Sequence, residues 1–139
     1  MSGWNPVKVH IYSMADGEKV IQTFTGEAIR KGSALYVRYE EEEQVPGGSK
    51  TRNTIKVTEH SLKLIRHGGV ESEQNFELGQ RLPGFYKSPY TSFALSTDTK
   101  KLEISTAGMS AKLAFRYDLY MFEEKSGHFD ISMEIQEEL

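Results

Sequence analysis

Arg66 is the residue whose setting in this chain most invites chemistry. It lies in SLKLIRHGG (Ser61–Gly69), where Leu62 and Leu64 alternate with polar neighbours, and it takes the next position on their face. A guanidinium ending an apolar stripe has two uses. Its planar fork can hold the carboxylate or phosphate of a guest, or it can satisfy a carboxylate of the chain itself. Glu41 is the candidate for the second use, because it extends the face of Leu35, Val37 and Tyr39 in the same manner. An unpaired buried guanidinium is costly, so a partner or solvent is required in either case. If a guest is held, Arg66 meets its anionic end, Glu41 positions Arg66, and the hydroxyls of Tyr86, Thr97 and Tyr117 orient the rest.

Other chemistries find less support. The four histidines, His10, His60, His67 and His128, show no helical pairing of the kind that ligates zinc. No metal or cofactor is expected. Cysteine is absent, so thiolate catalysis and disulfides are excluded. No Gly-x-Ser-x-Gly elbow and no phosphate-binding glycine loop occurs, and the glycines sit where hairpins should turn. Glu40 to Glu43 supply adjacent carboxylates, but a general acid needs burial to raise its pKa, and this run reads as a solvated strand end. An enzyme using mouth residues is therefore the least expected of the readings.

The elements that must position Arg66 are strands. Period two runs through Val7, Val9 and Ile11, through Leu35, Val37 and Tyr39, and through Ile55 and Val57. It recurs in Leu102 and Ile104, in Leu113 to Met121, and in Phe129 to Ile135. Turn residues punctuate these runs at Asp16-Gly17, Lys31-Gly32, Pro46-Gly47, Gly68-Gly69, Asp98-Thr99, Ala107-Gly108 and Ser126-Gly127. Gly79 to Pro89, with two prolines and two glycines, reads as a crossing segment rather than a central strand. The spacing gives about eight to ten strands with short sequential loops. A closed antiparallel up-and-down barrel removes the exposed edges such a sheet would otherwise have, and a sandwich is the alternative. Phe76, Phe93, Phe115, Tyr117 and Phe129, with Met121 and Met133, are expected to point inward. They either line an apolar pocket or fill the lumen. Arg66 then becomes the last inward-facing residue before the Gly68-Gly69 turn, at the barrel mouth.

With 139 residues the chain fits one domain, 1–139, able to bury a substantial core. The net charge of −3, from 17 basic and 20 acidic residues, argues against nucleic acid. No run reaches the roughly 18 apolar residues of a membrane helix, and no membrane partner is expected. The opening MSGWNPVKVH lacks an apolar leader, which favours the cytoplasm. The expected partner is a small amphipathic or anionic ligand. The other reading is a filled barrel that acts through its outer face, including as a homodimer.

Several motifs together resemble the bacterial YwiB-like proteins, a family of unknown function. They are LYVRYEEE (Leu35–Glu42), TIKV (Thr54–Val57), LIRHGGV (Leu64–Val70), NFELG (Asn75–Gly79), YKSPYTSFALST (Tyr86–Thr97) and FRYDLYM (Phe115–Met121). The resemblance covers nearly the whole chain. It implies a lipocalin-like, calycin-type barrel and leaves the activity open.

Overall fold

Residues 3–41 and 50–138 are described by a computed structural model. Glu42 and Glu43 of the acidic run and the Pro46-Gly47 turn fall outside them. Ten strands follow one another: β1 (Asn5–Ala15), β2 (Glu18–Lys31), β3 (Ala34–Glu41), β4 (Thr51–Val57), β5 (Ser61–Gly68), β6 (Glu71–Glu77), β7 (Arg81–Lys87), β8 (Ser92–Ala107), β9 (Ser110–Met121) and β10 (Glu124–Glu137). Each pairs antiparallel with the next, and β1 pairs with β10 to close the barrel. The upper limit of the expected strand count is met, and the sandwich is ruled out.

Alternation explains why these segments can close. Successive side chains on a strand face opposite ways, so one ring of strands gives a single interior. Val7, Val9, Leu35, Val37, Ile55, Leu62, Phe76, Leu113, Phe115 and Ile135 are all buried there. Phe76 packs against Phe115 and Tyr117, each with ring centroids 4.9 Å apart. Tyr117 in turn stacks on Phe129 at 5.0 Å. These four rings fill the middle of the lumen.

One end of the barrel carries the β1–β2, β5–β6, β7–β8 and β9–β10 turns together with the end of β3 and the start of β4. We call this end the mouth. The other end carries the remaining turns and both terminal strand ends.

Three expectations from the sequence are corrected. The stretch Gly79 to Pro89 contains a true strand, β7, despite Pro83. Proline is tolerated because β6 and β7 pair only at Glu71–Lys87, Ser72–Tyr86 and Glu73–Phe85, so no ladder bond is asked of Pro83 on that side. Beyond those pairs the strands part, and the Asn75 side-chain amide bridges the seam by donating to the Pro83 carbonyl at 3.1 Å. Gly84 permits the close approach beside the seam, since a β-carbon there would lie 2.1 Å from the Glu73 carbonyl oxygen. The second correction concerns Asp98-Thr99, which is no turn: β8 runs through it from Ser92 to Ala107. A register shift between Thr99 and Lys101 takes up the irregularity there. Thr99 also exchanges backbone hydrogen bonds with the β6–β7 turn, to Gly79 and Gln80. The third correction is the Ser126-Gly127 turn: β10 runs through it with a register shift between Lys125 and Gly127, and the chain turns at Phe122-Glu123 instead.

Candidate ligand site at the barrel mouth

Directly opposed residues on neighbouring strands share a face, so cross-strand partners trace rows along the inner wall. One such row runs from Tyr39 to Asn53, Arg66, Ser72, Tyr86 and Phe93, crossing β3 to β8. Its first half is ionic. Glu41, two residues beyond Tyr39, accepts from Arg66 Nε at 2.9 Å, from Arg66 Nη2 at 3.0 Å and from Asn53 Nδ2 at 2.7 Å. The fork is bidentate, which fixes both side chains in one geometry. The pair is neither sealed nor free: the Arg66 side chain is 33% exposed and that of Glu41 20%. Only Nε and Nη2 of Arg66 are engaged by the carboxylate.

Tyr39 lies beneath this pair and stacks on Phe24 at 4.5 Å. Burial, reinforced by the Glu41 carboxylate and partly offset by Arg66, pushes its phenol well above the usual range. It stays a neutral hydroxyl at any ordinary pH.

The second half of the row is aromatic. Tyr86 stacks on Phe93 with centroids 5.2 Å apart and planes 24° apart. Phe93 then meets Phe122, in the β9–β10 turn, at 5.7 Å. Thus one opening has a cation–carboxylate pair on β3–β5 and a ladder of rings on β7–β10.

Of the residues singled out in the sequence, Arg66 and Glu41 are in direct contact, and Tyr86 lies on the Arg66 row with Ser72 between them. Thr97 and Tyr117 lie deeper. Tyr117 is buried among the filling rings, and burial pushes its phenol up to about 12 against the lowering effect of a hydrogen bond with Gln74. Thr97 is fully buried, as is Thr99, and neither hydroxyl has a hydrogen-bond partner. Asn53, Ser72 and Gln74 were missed. The signal was there, because Asn53 shares the alternation of Ile55 and Val57, and Ser72 and Gln74 share that of Phe76.

The outer wall carries ordinary ion pairs, and one cluster stands out. Asp118 is buried on that side, where His128 Nδ1–H donates to it at 2.6 Å and Lys125 lies 3.5 Å away. The hydrogen bond from His128, followed by the charge of Lys125, holds the Asp118 carboxyl below the usual carboxylate range against its desolvation. His67 points away from Arg66 and pairs with Glu71 at 3.0 Å. Among the described residues, no group of three or more histidines and carboxylates is set to hold a metal ion.

These features define a closed, ten-stranded antiparallel β-barrel with a ring-filled lumen and a polar mouth. The chain belongs to the family described as a domain of unknown function, DUF1934, which matches residues 7–133. Over 124 residues it is 26% identical to the "Uncharacterized beta-barrel protein YwiB" of Bacillus subtilis (strain 168), spanning 86% of this chain and 85% of that protein. The crystal structure of the YwiB protein from Bacillus subtilis matches with a TM-score of 0.82 at 22% identity, covering 100% of this chain and 96% of that one. The family resemblance read from the strand motifs is therefore correct, and the structural match bears out the barrel.

Proposed function

We propose that this chain binds a small amphipathic anion at the barrel mouth. The observation that carries this reading is the single inner-wall row holding Arg66 and, two and three strands along, the stacked rings of Tyr86 and Phe93. Strands about 4.8 Å apart put roughly 14 Å of wall between the β5 and β8 ends of that row, the scale of a small molecule. Ligand sites commonly combine an apolar lining with a few oriented polar groups. In this reading Arg66 meets the anionic end, Glu41 and Asn53 hold its fork in place, and Ser72 and the Tyr86 hydroxyl offer further hydrogen bonds. Thr97 and Tyr117 belong to the floor, because the packed rings leave the guest at the mouth rather than in the lumen. Native mass spectrometry of protein purified from its own host is the test. A retained small molecule that Arg66→Ala releases from a folded barrel is the expected result. A guest retained equally by the variant would remove Arg66 from the site.

A second reading, association through the outer face, is supported by the β1–β2 hairpin. Tyr12 and Ile21 are direct cross-strand partners there, 43% and 58% exposed, and Met14 is exposed beside them on the same face. Apolar side chains grouped this way favour a protein partner, including a second copy. Light scattering on Ile21→Lys decides it, since a dimer that this change does not dissociate would exclude the hairpin as the contact.

A further inference from the structure

The β9–β10 connection is built against its own sequence. Met121 pairs with Glu124, which leaves Phe122 and Glu123 as a two-residue hairpin loop. Both take left-handed backbone, with φ of 53° and 63°. Loops of this kind favour Asn-Gly because side chains bearing a β-carbon are strained there, bulky ones most of all. The cost is not recovered by burial, since Phe122 is 77% exposed. Strain kept at an exposed aromatic residue points to a use for its position.

That position is specific. The Phe122 ring meets Phe93 at the end of the Tyr86–Phe93 stack, its plane tilted by 42°, and stays largely exposed at the mouth. The turn is braced from outside the barrel: Arg81 Nη2 lies 3.5 Å from Glu123 and Arg81 Nε donates to Ser96 at 2.7 Å. The Arg81 guanidinium also sits 3.9 Å over the Tyr120 ring. Below the stack, Phe76 packs against Phe115 and Tyr117, so a long alkyl tail would have to displace these rings to open a channel. A flat ring system needs none. It can lie against Phe122 and Phe93 and gain from offset stacking, which an aliphatic chain does not.

We infer that the mouth selects a planar aromatic anion and that Phe122 is its specificity-determining residue. This rests on the mouth-binding reading above and narrows its ligand class. Carboxylate, phosphate and sulfonate ends share the chemistry that Arg66 recognises, so the discrimination lies in the apolar part.

Isothermal titration of the full chain with naphthalene-1-sulfonate and octane-1-sulfonate separates the two, because the probes share one head group. The expected result is at least tenfold tighter binding of the naphthalene compound. Phe122→Ala should abolish that preference, weakening naphthalene-1-sulfonate about tenfold and octane-1-sulfonate by much less. The double change Phe122→Asn with Glu123→Gly, which suits the turn, should raise the melting temperature and lose the same preference, so misfolding is not the explanation. Equal or reversed affinities, or naphthalene-1-sulfonate binding indifferent to both variants, would overturn the inference. If both probes bind equally and Arg66→Ala weakens both, only the aromatic selectivity fails. If neither binds at millimolar concentration, the mouth reading fails with it.

Discussion

Replacing Glu41 by Gln separates the structural role of the mouth ion pair from its availability to a guest. The carboxylate takes two charge-assisted hydrogen bonds from Arg66 and one from Asn53. Fully exposed pairs contribute about 0–1 kcal/mol, and breaking buried ones costs about 3–5 kcal/mol. Side chains 20% and 33% exposed fall between these limits, nearer the exposed case once solvent screening is allowed for. We expect Glu41→Gln to lose ~1.5 kcal/mol, because glutamine keeps one acceptor but not the charge. For a barrel of this size that lowers Tm by roughly 5 °C. Urea unfolding of Glu41→Gln, Arg66→Met and the double variant should give a coupling energy of ~1–2 kcal/mol. Affinity for octane-1-sulfonate should move the opposite way and strengthen in Glu41→Gln, because the carboxylate's repulsion of the sulfonate is lifted while the glutamine carbonyl still accepts from the Arg66 fork. A coupling energy near zero would mean that the pair does not form in solution, and the account of the mouth would lose its anchor.

Three further outcomes follow from the wall and the interior. Gly84→Ala should cost ~2–3 kcal/mol in denaturant unfolding, because its β-carbon would press on the Glu73 backbone and on Leu95; a neutral result would mean β6 and β7 are not held that close. Thr97→Val and Thr99→Val should each be neutral or stabilise by ~1 kcal/mol, since each removes a buried hydroxyl with no partner; clear destabilisation would reveal a bridging water. Asp118→Asn should destabilise the barrel at neutral pH. The wild-type carboxyl is held low by His128, so its contribution is complete above the unfolded value of about 3.9 and is lost as pH falls through the folded one. The gap between the two proteins must therefore close below about pH 4, and a gap that persists there would assign the effect to packing instead.

The barrel was legible wherever one face is buried and the other is wet. β3 and β4 carry that alternation without interruption, with Leu35, Val37 and Tyr39 opposite Val57, Ile55 and Asn53. β7 was not legible, because Pro83 and Gly84 mark an ordinary sheet's end and only the three-pair seam makes them acceptable. Asp98-Thr99 misled for a related reason: turn-forming residues occupy a bulge when a long strand must bend around a small barrel. The Phe122-Glu123 turn gives no composition signal at all, and the glycine at 127 drew attention to β10 instead.

At the mouth, strand alternation makes Arg66 and Glu41 legible, because a charge on an apolar face is conspicuous. It passes over Asn53 and Ser72, whose small neutral side chains look like any other strand residue until cross-strand register brings them beside the guanidinium. Register is a long-range property of the closed sheet. Thr97 and Tyr117 were grouped with Arg66 by chemical type, whereas position along the barrel axis separates them from it.

Amide and aromatic resonances followed during titration with naphthalene-1-sulfonate locate the guest on the barrel. A guest at the mouth gives its largest shifts at Arg66, Tyr86, Phe93 and Phe122 and leaves the outer wall silent. Shifts concentrated on Tyr12 and Ile21 of the β1–β2 hairpin, with the Arg66 row unmoved, would contradict binding at the mouth.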